Sequence, residues 1–112
     1  MTLFQRAVLS TFAAAAVAFA APAFAQEASH SITIRDHNFE PSTLDVKAGV
    51  KIKLTVINAQ KQAAEFESAE LNREKIVPPG GNVTVLLGPL EPGSYAFFDD
   101  FHRATKGTIV AK

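Results

Sequence analysis

From residue 30 onward, apolar and polar residues alternate with period two along most of the chain. Ile32 and Ile34 alternate with Thr33 and Arg35, and Leu44 and Val46 with Asp45 and Lys47. The longest run is Val50-Lys51-Ile52-Lys53-Leu54-Thr55-Val56, with its aliphatic side chains on one side and Lys51, Lys53 and Thr55 on the other. Alternation of this kind predicts strands with one buried face and one wetted face. Further strands are predicted at Ala63 to Ser68, Arg73 to Val77, Asn82 to Leu87, Ser94 to Phe98 and Gly107 to Ala111. Turn formers separate them: Glu40-Pro41-Ser42, Ala48-Gly49, Pro78-Pro79-Gly80-Gly81 and Glu91-Pro92-Gly93. Leu71-Asn72 reads equally well as a turn before the strand at Arg73. No apolar stripe of helical period persists after residue 25, so about eight short strands predict an all-β, Greek-key β-sandwich.

The first 25 residues follow a different logic. Arg6 lies in a short polar start, Ala7 to Ala21 is apolar, and Ala23-Phe24-Ala25 has the small-x-small pattern cut by signal peptidase. Residues 1–25 are therefore expected to be a cleaved signal peptide that sends the protein to the periplasm, with Gln26 to Ser29 as a tail. The competing reading is an uncleaved anchor, but the apolar stretch falls short of the roughly 20 residues a spanning helix needs. No membrane insertion is expected after cleavage.

The remaining 26–112 segment has 87 residues, enough for one domain and one core. The chain has no cysteine and its one methionine is Met1, so thiolate and thioether ligands are both excluded from this domain. Loss of Arg6 leaves a net charge of about −1, which gives no reason to expect nucleic acid as a partner.

Two acidic clusters carry the candidate chemistry. In a strand, Glu65 and Glu67 point to one side with Cα atoms about 6.5 to 7 Å apart, and Phe66 points to the other. The bland alternative makes them solvent-facing acids beside a core phenylalanine. The second cluster is Phe98-Asp99-Asp100-Phe101-His102, whose aspartates could instead be turn formers. Glu74 is a lesser candidate, placed by alternation near Glu67 on a facing strand. His37, where the first strand turns, is another, with an ordinary turn histidine as its alternative. Oxygen donors with one imidazole suit Fe(III), Fe(II) and Mn(II), and also Cu(II) and Zn(II). Several carboxylates stabilise Fe(III) over Fe(II), because charge neutralisation grows with cation charge. No Ser-His-Asp constellation, nucleophile elbow or phosphate-cradling glycine loop is present, so any ferroxidase-like activity would depend on bound metal.

The order of Phe39-x-Pro41, Leu44-x-Val46-x-x-Gly49, the lysine-rich strand ending at Asn58, Pro79-Gly80, Pro92-Gly93-x-Tyr95 and Lys106-Gly107-Thr108-Ile109-Val110 resembles a cupredoxin. The blue-copper pattern is broken: Ala64-Glu65-Phe66-Glu67 stands where the upstream histidine would be, and Phe98-Asp99-Asp100 where the cysteine would be. Within the wider family, Glu-Phe-Glu with Phe-Phe-Asp-Asp-Phe-His is similar to small periplasmic cupredoxin-like proteins of bacterial iron-uptake systems. It also resembles the cupredoxin-like domain in acid-induced ferrous iron transport. That resemblance places Glu65, Glu67, Asp99, Asp100 and His102 at ligand positions. It implies iron as cargo, copper as a second metal, and an inner-membrane iron permease with other periplasmic components as partners. Two rivals share the residues: a Cu(II) carrier, and a metal-free module docking a partner through the acidic patch. A site using the whole set needs Glu65 and His102 in one coordination sphere; a docking patch lets them stand apart.

Overall fold

The computed structural model describes residues 27–112 together with Ala15, so the expected signal peptide, apart from Ala15, and its expected cleavage site lie outside the described residues. Nine strands follow one another: β1 Glu27–Arg35, β2 Asn38–Glu40, β3 Thr43–Val46, β4 Lys51–Asn58, β5 Ala64–Ser68, β6 Arg73–Val77, β7 Asn82–Leu87, β8 Gly93–Asp99 and β9 His102–Ala111. They form a four-stranded sheet ordered β2-β1-β4-β7 and a five-stranded sheet ordered β3-β9-β8-β5-β6. Both sheets are mixed, since β1 runs parallel to β4 and β3 parallel to β9 while the other pairs are antiparallel. Among the described residues there is no helix, and hence none long and apolar enough to cross a membrane.

The alternation of the sequence becomes the core. Ile52, Leu54 and Val56 of β4 are buried beside Ile32, Ile34, Val85 and Leu87. Phe66, Phe97, Ile109, Leu44 and Val46 complete the cluster from the second sheet. Phe97 sits at its centre, edge-on to Phe39 with ring centroids 4.8 Å apart and tilted against Phe66 at 5.2 Å. Its ring lies over Gly107, where a Cβ would overlap the ring and come within 2.9 Å of the Ser42 carbonyl.

The larger departures from the sequence expectation are at β1, β2 and β9, each because of pairing that period-two counting cannot see. β1 begins at Glu27 instead of after a tail, because Glu27 to Ser29 pair with Lys51 to Lys53 of β4. β2 forms because Asp36 and His37, at φ of 49° and 58°, make a tight two-residue hairpin that returns Asn38 to Glu40 onto β1. β9 begins at His102, since Asp99 pairs with His102 whereas Phe98 pairs with Lys106. This bulge leaves Arg103 to Thr105 extra on β9, so that Arg103 is exposed and Thr105 is buried.

Candidate metal centre

Strand β5 lies between β6 and β8, with Phe66 in the core and Glu65 and Glu67 on the opposite, outer face of the sheet. Glu74 of β6 is directly opposite Glu67, and Phe98 of β8 flanks Glu67 on the other side. Asp100, one residue past the end of β8, is drawn over the same face because its N–H donates to the Glu65 carbonyl at 3.0 Å. Carboxylate oxygens of Glu65, Glu67 and Asp100 thereby lie within 4.8 Å of one another. Like charges placed directly opposite on neighbouring strands destabilise a sheet, so this cluster works against folding unless a proton or a cation joins it.

Its protonation shows that tension. The Glu65 carboxyl is pushed up to about 7, first by a hydrogen bond with Glu74, then by burial and by the charges of Glu74, Asp100 and Glu67. Glu67 is also raised, by burial first and then by Asp100 and Glu74, with the nearby Arg103 pulling the other way. Glu65 is only 6% exposed, and among the described residues its carboxyl has acids for neighbours and no amide, hydroxyl or cationic donor. Asp100 Oδ1 is buried and makes no hydrogen bond, although Arg103 Nη2 stands 2.8 Å from it at an angle unsuited to one. A multivalent cation would satisfy all of these oxygens and displace the proton held by Glu65.

Asp99 occupies a different position. It faces inward, 1% exposed, and its Oδ1 accepts hydrogen bonds from the Glu65 N–H at 2.9 Å and the Phe101 N–H at 3.0 Å. Asp99 therefore ties the strand that carries Glu65 to the loop that carries Asp100, and its carboxylate is not among the three that converge.

His102 belongs to a third group. Its ring stacks on that of His37, with centroids 3.9 Å apart and planes inclined by 19°. The Thr105 hydroxyl donates to the His37 carbonyl at 2.6 Å and so must accept from His102 Nδ1 at 2.8 Å, which fixes the proton of a neutral His102 ring on Nδ1. His37 is further held by Gln60 Oε1, which accepts from its N–H at 2.9 Å, and by Gln62 Nε2, 3.3 Å from its Nε2. Glu65 and His102 thus stand in separate groups, and the seven sequence candidates divide into an acid cluster with Glu74, a buried tie at Asp99 and a stacked histidine pair. Arg103 and Thr105 were not sequence candidates. Arg103 follows Asp100 at a spacing that permits an ion pair, whereas nothing local announces the contact of Thr105 with residue 37.

Comparison with known proteins agrees with this architecture. The family described as a cupredoxin-like domain matches residues 7–111. An uncharacterized protein of Rickettsia prowazekii (strain Madrid E) is 47% identical over 80 residues, covering 70% of this chain and 64% of that protein. The chain thus spans a little under two thirds of that relative's length. Among solved structures, the metal binding domain of the Cu(I) exporting P-type ATPase CopA of Streptococcus pneumoniae, with Cu(I), aligns with a TM-score of 0.67 and 14% identity. That alignment covers 79% of this chain and 92% of the domain. Auracyanin A, a "blue" copper protein of Chloroflexus aurantiacus, aligns at 0.66 and 13% identity over 78% of this chain and all of its own. Amicyanin of Paracoccus versutus aligns at 0.59 and 16% identity, covering 83% and 86%. At such identities these structures show the shared fold, and no cysteine is present here to build a blue-copper site.

Proposed function

The chain belongs to the cupredoxin-like domain family, and from that premise we propose that it binds iron through Glu65, Glu67 and Asp100, with Glu74 as their neighbour on β6. The observation that carries this reading is the convergence of three carboxylates within 4.8 Å at the buried Glu65. An all-oxygen donor set suits a hard cation, and its accumulated charge favours Fe(III) over Fe(II). In this reading the protein is periplasmic, takes up ferrous iron, makes its oxidation easier and passes it to an inner-membrane permease. Support for that setting comes from the Glu-Phe-Glu and Phe-Asp-Asp-Phe-His segments and from the signal-peptide pattern of residues 1–25.

The docking module has one observation in its favour, the separation of His102 from Glu65. The burial of Glu65 weighs against it, because a patch meant for a basic partner would present its charge to solvent. A copper carrier would prefer imidazole to this oxygen set, and the stacked rings of His37 and His102 do not converge on it.

X-ray absorption on the iron-loaded protein tests the assignment. A shell of oxygen ligands without the outer-shell scattering of imidazole is expected. Imidazole scattering would move the metal to the histidine pair and overturn the assignment.

A further inference from the structure

Resting on that reading of the site, we infer that Arg103 is a tethered competing cation that a metal entering the acid cluster must displace from Asp100. Arg103 is carried on the β9 bulge and enters the cluster from its rim, with Nη2 2.8 Å from Asp100 Oδ1. The two side chains differ sharply in freedom: that of Arg103 is 76% exposed and that of Asp100 only 26%. The guanidinium is therefore the movable member of the pair, and it holds Asp100 through charge without satisfying Oδ1 by a hydrogen bond.

In this same position the guanidinium also lies over an aromatic ring. Arg103 Cζ is 5.8 Å from the centroid of the Phe98 ring, and Phe98, Arg103 and Lys106 line a shallow hollow of about 220 Å³ on the outer face. Attraction to the aromatic face adds to the ion pair in placing the guanidinium. Because its side chain is mostly exposed, a rotation of Arg103 into solvent is enough to free Asp100.

Displacement of the guanidinium is governed by Coulomb's law. A monovalent cation replacing the guanidinium brings no more charge than it displaces, whereas a divalent or trivalent ion doubles or triples the attraction to the same oxygens. The acids remain partly neutralised until an ion of higher charge arrives. Without Arg103 the site would bind any cation more tightly.

Titration of the mature protein with Mn(II), which is redox-silent, tests this in wild type, Arg103→Gln and Arg103→Lys. Arg103→Gln is expected to bind about tenfold more tightly, the effect of removing a unit charge a few ångströms from a divalent ion near a protein surface. Arg103→Lys is expected to stay near wild type, and the Arg103 Nε–Hε resonance of wild type to shift on addition of diamagnetic Zn(II). Unchanged or weaker binding by Arg103→Gln overturns the inference while leaving the metal site standing. Failure of wild type and both variants to bind any metal overturns the site itself, and the role of Arg103 with it.

Discussion

Glu67 and Glu74 are direct cross-strand partners on β5 and β6, and the same Glu74 does most to raise the Glu65 carboxyl. Glu74 is thus the acid that sets the protonation of the cluster while contributing little to burial, since it is exposed. Glu74→Gln should bring the Glu65 carboxyl down from about 7 toward its ordinary range, because the hydrogen bond and the charge of Glu74 both act to raise it. Carbon-13 NMR titration of the side-chain carboxyls reads this directly; a Glu65 midpoint left near its wild-type value would contradict the coupling.

Stability of the metal-free protein should fall as pH rises from about 4.5 to 7. The sign follows from linkage: a carboxyl raised in the folded state binds more protons there than in the unfolded chain, so folding is favoured at low pH and loses that advantage as pH climbs through the folded value. Above about 7 the contribution of Glu65 levels off. Glu65→Gln should flatten this slope in thermal melts. Bound metal should reverse it, because the ligands must deprotonate to bind. A metal-free wild type whose melting temperature rises across that window would refute the assignment.

Asp99→Asn should keep fold and metal binding nearly intact, since an amide oxygen can accept the same two N–H bonds from Glu65 and Phe101. Asp99→Ala strands both donors, at a cost of about 1–3 kcal/mol each. Denaturant unfolding and metal titration of the two variants separate a structural acceptor from a ligand. Loss of metal by Asp99→Asn without loss of stability would restore Asp99 to the coordination sphere.

Much of this was legible in the sequence. Period-two counting placed Phe66 inward and Glu65 and Glu67 outward, and it matched the core strands from β3 to β8. Carried one step further, it distinguishes the two aspartates: Phe97 faces in and Phe98 lies on the opposite face, so Asp99 points inward and Asp100 outward. His102 could not be placed this way. The bulge between β8 and β9 breaks the count, and the partners of His102 come from residue 37 and, across the bulge, from Thr105. β2 was hidden for a related reason, because a three-residue strand is too short to show a period.

Thr105→Val should loosen the His37–His102 stack without touching the acid cluster, because the hydroxyl links His102 Nδ1 to the His37 carbonyl from a buried position. A loss of about 1–2 kcal/mol in unfolding free energy is expected for these hydrogen bonds. Iron affinity should not change. Imidazole NMR would show His102 losing its fixed tautomer, and an iron affinity that fell in parallel would join the two groups into one site.

The central claim is that iron is held by the carboxylates of β5 and the loop after β8, apart from the histidines. Anaerobic calorimetric titration of metal-free protein with Fe(II), comparing wild type, Glu65→Gln and His102→Ala, tests it most directly. The account predicts binding by wild type, a loss of about tenfold or more in Glu65→Gln, in line with the effect of disturbing metal-site ligands, and unaltered binding in His102→Ala. Absence of iron binding by wild type, or an equal loss in His102→Ala, would contradict it.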